Sequence, residues 1–193
     1  MGNLLRDKAR DKSELWLHKM QEYRHKPAAM VAMKRSLSNT LEYKAWKYLE
    51  PVCGEMGFSL LEHEEEHQIL RYISAFFAKH YSGRTEDDVF LDNKCFGTSM
   101  REMILRMNSG GTREFEEIIE SNDRRLEVLI AASNSIKLCK KLASVMTIMR
   151  NNEVNIDFRS LFVDIVYWDK KIQLKWASHF YRGEKDVSDT DNN

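Results

Sequence analysis

The residues best equipped for chemistry in this chain are of two kinds. Residues 63–67 read HEEEH, the H-E-x-x-H spacing in which two histidines one helical turn apart hold zinc and the glutamate activates a water. Elsewhere, cations stand in adjacent pairs at Lys34–Arg35, Arg124–Arg125 and Lys170–Lys171, side chains suited to gripping phosphate.

The zinc reading needs a third protein ligand, and the motif supplies none. Glu65 and Glu66 make it resemble an acidic helix start, where carboxylates complement the helix dipole. His67 falls in line with Leu70, Ser74 and Phe77, the register of a packing histidine. A metalloenzyme built on His63 and His67 therefore stands only as an alternative. The chain has no phosphate-binding G-x-x-x-x-G-K-[ST] loop and no G-x-S-x-G elbow, and NSGG at 108–111 reads as a helix-to-helix turn. The 3 cysteines, Cys53, Cys95 and Cys139, are widely spaced and odd in number, which suits reduced thiols better than a disulfide framework. The expectation is a protein without catalysis or cofactor.

Charge is balanced overall, with 30 Lys and Arg against 30 Asp and Glu, but unevenly placed. Residues 1–48 hold 11 basic and 5 acidic residues, and residues 49–70 hold six glutamates with no Lys or Arg. Residues 136–150, IKLCKKLASVMTIMR, carry four basic residues and no acidic one. Such local excess, rather than net charge, bears on anionic partners.

The elements that must position these cations read as helices. Only 2 prolines and 8 glycines occur in 193 residues, and helix-favouring residues abound, so an all-α fold is expected. Amphipathic segments lie at 11–25, at 26–38 with Pro27 at the first turn, and at 39–52, ending before Pro51. A further segment at 65–81 is closed by Gly83. Segments 98–108, 111–122, 123–133 and 135–150 follow. The stretch 82–96 reads as an exposed acidic loop between two helical lobes, 1–95 and 96–183, and 184–193 as a disordered acidic tail. Trp46, Trp168 and Trp176 are expected in the core or between lobes. No run approaches bilayer-spanning length and the start lacks an apolar signal region, so a soluble, cytoplasmic protein away from membranes is expected.

The last segment carries two apolar stripes, Leu161–Ile165–Trp168 and Ile172–Trp176–Phe180, with Asp157 as a cap. If Asp169 caps a second helix, Lys170 and Lys171 occupy its first turn. The dipole disfavours cations there, whereas a phosphate would be attracted. If the helix instead runs unbroken through Asp169, the two lysines are ordinary surface residues.

The ordered series YKAWKYLEP at 43–51, FGTSMREMI at 96–104, DRRLEVLI at 123–130 and IDF..L..DI..WDK....KWA..FY at 156–181 resembles the CasB family, the small subunit of Cascade, the type I-E CRISPR surveillance complex. The resemblance implies an all-helical, non-enzymatic protein of antiviral defence, present as two copies beside the backbone and large subunits of a complex that holds guide RNA. It also implies nucleic-acid binding, to the target and above all the displaced DNA strand, that stabilises the R-loop through Lys34, Arg35, Arg101, Arg124, Arg125, Lys170 and Lys171, with salt-bridge packing as the other role open to Arg124 and Arg125. The acidic stretch 62–66 departs from the basic charge expected of the family there. A pure protein-interaction adaptor, with no direct nucleic-acid contact, is the other reading.

Overall fold

The structure is a computed structural model that describes residues 4–38, 40–59, 63–81, 94–109 and 114–182. Among the described residues the chain forms helices and no strand: α1 (Ala9–Arg24), α2 (Pro27–Arg35), α3 (Tyr43–Glu55), α4 (Glu64–Tyr81), α5 (Phe96–Ser109), α6 (Phe115–Ile130), α7 (Ser135–Asn151), α8 (Phe158–Val166) and α9 (Lys170–Arg182).

The central helix is α4. Every residue from Ile69 to Ala78 is buried, Arg71 and Ser74 included, an all-round burial that a helix has only when neighbours surround it. It packs against α2 and α7 most extensively, and also against α1, α3 and α8. Trp16 of α1 is fully buried and donates its indole N–H to Ser74 of α4 at 2.9 Å. Its ring lies 5.9 Å from Phe77 and 5.5 Å from Phe162 of α8.

A second group joins α5, α6 and α9. Gly97 makes their close crossing possible: a Cβ there would lie 2.1 Å from the Trp176 carbonyl oxygen of α9. The Phe96 and Trp176 rings stack 4.6 Å apart, and Trp176 donates its indole N–H to buried Asp164 of α8 at 2.6 Å. The lobe boundary expected at 82–96 falls mostly on 82–93, outside the described residues, as do Gly83, the NSGG glycines and the tail 184–193. On either side of that stretch the helices interleave, with α7 packed on α4 and α8 on α1.

Three local expectations differ from the structure. Helix α3 passes through Pro51 to Glu55: Pro51 sits on the exposed face, where a missing N–H is tolerated, while Val52 and Cys53 are fully buried. Segments 111–122 and 123–133 form the single helix α6 over its described span, because Asn122 turns inward and donates its amide to the Ile118 carbonyl at 2.8 Å. Trp46 is 44% exposed rather than core, whereas Trp168 and Trp176 are buried as expected.

No described helix is long and apolar enough to cross a membrane.

Candidate nucleic-acid interface

Three helices end close together and bring their cations with them. Lys34 and Arg35 close α2, Lys79 lies in the last turn of α4, and Arg150 in the last turn of α7, where each complements its helix dipole. The Lys79 ammonium donates to the Thr147 hydroxyl oxygen at 2.5 Å, and that hydroxyl donates to the Ala143 carbonyl at 3.0 Å. Burial, followed by the positive charges of Lys34 and Arg150, holds the Lys79 pKa below the usual lysine range, and no carboxylate among the described residues acts in the other direction. Lys34 and Lys79 have no carboxylate partner among the described residues, and cations so placed raise the local potential, which a bound anion relieves.

Helix α7 extends this face. Lys140 and Ser144 are exposed and follow Thr147 backward at helical spacing, with Lys137 exposed one further turn back. The helix has no acidic residue along its length. The glutamates that depart from family expectation lie elsewhere: Glu64, Glu65 and Glu66 begin α4, about 22 Å from Lys79 along the helix axis. Glu66 is buried and accepts the Leu4 backbone N–H at 3.2 Å.

A second basic locus surrounds the start of α9. The chain breaks at Trp168, and the Asp169 carboxylate accepts the Ile172 backbone N–H at 2.9 Å, so the capped geometry is the one adopted. Lys170 and Lys171 are exposed in the first turn. Lys171 lines a shallow groove with Lys8 and Arg10 of the α1 start. The Asp169 carboxylate occupies the Ile172 N–H, however, and stands in the same groove.

The remaining arginines are engaged by their own fold. Arg101 reaches from α5 to the C-terminal end of α9 and donates to the Phe180 carbonyl at 3.1 Å, about 15 Å along α9 from Lys170. Arg124 pairs with Glu120 one turn earlier, and Arg125 donates to Ser121 and to Asn122, the latter at 3.2 Å. The structure thus joins Lys34 to Arg35 and Lys170 to Lys171, but brings neither pair together with Arg101, Arg124 or Arg125.

The histidine motif has a packing environment. His67 lies edge-on to Trp46 with ring centroids 6.4 Å apart, and burial with the Arg71 charge lowers its pKa, which favours the neutral ring. His63 packs on Phe58 at 6.2 Å. Among the described residues, no group of three or more His, Cys, Asp or Glu is placed to hold a metal ion.

Sequence reasoning missed Lys79 and Arg150 as partners of Lys34. The signal available was a lone lysine closing the apolar run ISAFFAKHY at 73–81 and the acid-free stretch ending at Arg150.

The family model described as CRISPR-associated protein Cse2 matches residues 28–181. The matched span takes in the Lys34–Lys79–Arg150 cluster and the start of α9, and leaves out α1. No curated protein and no solved structure matches the chain.

Proposed function

The chain belongs to the CRISPR-associated Cse2 family, also called CasB, and is a subunit of a CRISPR Cascade complex; from that premise we propose that it is a non-catalytic grip on nucleic-acid backbone that stabilises the R-loop. The observation that carries this reading is Lys79, half-buried near the charges of Lys34 and Arg150, with no carboxylate paired to Lys34 or Lys79 among the described residues. Phosphates supply the missing charge. Strand exchange on an RNA guide is nearly balanced in energy, so a few protein contacts to backbone are enough to tip it.

In this reading two copies act in the cytoplasm beside the backbone and large subunits and hold the displaced strand. Lys34, Lys79, Arg150 and the outward lysines of α7 form the main phosphate track, with Arg35 on the other side of α2 and Lys170 and Lys171 as further, weaker contacts. Arg101 and Arg125 serve packing. Arg124, exposed and paired to Glu120 only across the surface, adds a minor contact at most, since such pairs are worth about 0–1 kcal/mol and break readily.

The test is R-loop formation on a matched target by the assembled, guide-loaded complex carrying Lys34→Ala with Lys79→Ala. The expected result is normal assembly and guide loading with a lower R-loop yield that falls further as salt rises. Unchanged R-loop yield across a salt series would overturn the proposal and favour the adaptor reading.

A further inference from the structure

Lys34 and Arg35 are neighbours in sequence but serve different sides of α2. Lys34 acts on Lys79 of α4, whereas Arg35 lines a groove of about 470 Å³ between α2 and α3. The floor of that groove is apolar, with Val31 47% exposed and Tyr43 54% exposed. Its rim is Arg35, Lys44 and Lys47, and no acidic side chain among the described residues lines it.

The two tyrosines differ in freedom. The Tyr48 ring is fixed: it stacks edge-on against Tyr23 at 5.7 Å, its carbonyl accepts the Tyr23 hydroxyl at 3.0 Å, and the Lys47 ammonium lies 4.8 Å over its face. Tyr43, at the first position of α3, makes no side-chain hydrogen bond or ring contact among the described residues. A fixed aromatic wall, an exposed aromatic that can close over a ligand and an all-basic rim suit one kind of occupant, a flat apolar ring carried on an anionic chain. That is an unpaired nucleotide. A duplex hides its base faces within the stack, so it lacks the feature this groove would hold.

We propose that the α2–α3 groove is a nucleobase pocket, in which a base of single-stranded nucleic acid stacks on Tyr43 against Val31 and Tyr48 while Arg35, Lys44 and Lys47 hold the adjoining phosphates. The proposal rests on the phosphate-binding role above and adds to it a preference for unpaired strands. Helix α2 then forms a ridge between a phosphate cluster and a base pocket, and a single strand crossing it meets both.

The test compares three probes on the full chain at one salt concentration: a thymidine oligonucleotide of about 15 nucleotides, within the range of single-strand site sizes, an abasic strand of equal length, and a duplex of equal length. The thymidine strand should bind about tenfold more tightly than the abasic one, the scale of one stacked base. Tyr43→Ala should abolish that difference without weakening the abasic strand, and Tyr43→Phe should preserve it. A strand carrying 2-aminopurine should show quenching on binding that Tyr43→Ala removes. Because Tyr43 is exposed, melting should be unchanged in both variants.

Equal affinity for thymidine and abasic strands, untouched by Tyr43→Ala, overturns the base pocket and leaves the phosphate role standing. Binding to none of the probes overturns both. If Tyr43→Ala leaves every affinity intact but blocks assembly of the complex, the groove belongs to a protein partner, and the proposal also fails.

Discussion

The molecule treats its cations in opposite ways on two sides. Around α5, α6 and α9, arginine is used for construction: Arg101 binds the Phe180 carbonyl, Arg125 binds Ser121 and Asn122, and Glu102 is held by Lys94 on one side and Arg106 on the other. Along α2, α4 and α7, the buried Arg71 is used that way, paired to Glu42, but Lys34 and Arg35 have no carboxylate partner among the described residues, and burial with the charges of Lys34 and Arg150 bears on Lys79. Basic residues occur on both sides, so their count does not distinguish the two. What does is whether each charge is already answered within the fold. An answered cation contributes to stability; an unanswered one raises a potential that a ligand can use.

Substitutions should therefore separate stability from binding according to side. The largest effect is expected from Gly97→Ala, which drives a methyl group into the Trp176 carbonyl. A backbone neighbour cannot swing away, and the loss should be about 2–3 kcal/mol, seen as a drop in melting temperature of about 4–12 °C. Wild-type melting would mean that α5 and α9 do not cross as closely as described.

Arg101→Ala should come next. It removes a charged donor from the end of α9, at a cost of about 1.5–3 kcal/mol, while the salt dependence of DNA binding by the complex stays the same. A shallower salt dependence with unchanged melting would move Arg101 to the binding side and blur the comparison.

Lys170→Ala with Lys171→Ala should be milder and opposite in sign for stability. Cations in a first turn oppose the dipole, so melting should hold steady or improve by about 0.3–1 kcal/mol per lysine, while the salt slope of DNA binding falls by up to about two units. A clear loss of stability would show that the lysines support the fold.

The smallest effect concerns pH. The folded-state pKa of Lys79 lies below its unfolded value, so across that interval the unfolded chain binds more protons, and stability must rise with pH. The penalty on the charged form is fully present below the depressed pKa and is lost as pH climbs toward 10.5, the unfolded value. Denaturant unfolding of the wild type and Lys79→Gln should show the gap between them moving in the wild type's favour on that climb. A gap that does not move would show that burial and the neighbouring cations do not depress Lys79 in the folded chain.

How much of this was legible in the sequence depends on how local the cause is. The helices follow from composition and periodicity, and the caps at Asp157 and Asp169 from side chains three residues from the N–H groups they accept. The family resemblance was readable as well, in motifs ordered along the chain. The passage of α3 through Pro51 was not, because burial of Val52 and Cys53 overrides a local breaker. Nor was the inward turn of Asn122, which brings its amide to the Met107 sulfur of α5 at 3.7 Å. Arg101 was read as a cation facing DNA; its engagement with Phe180, 79 residues away, is a tertiary fact. The cluster of Lys34, Lys79 and Arg150 is of the same kind. Three residues far apart in the sequence meet because α2 and α7 flank one buried helix, and no window along the chain contains them.

The central claim is that the unanswered cations of α2 and α4, and not the answered ones of α6, carry the electrostatic grip on DNA. The most direct test is the salt dependence of DNA binding by assembled complexes carrying either Lys34→Ala with Lys79→Ala or Arg124→Ala with Arg125→Ala. The first pair should lower the slope of log affinity against log salt by up to about two units and the second by much less than one. Equal slopes for the two, or a larger change for the arginine pair, would contradict it.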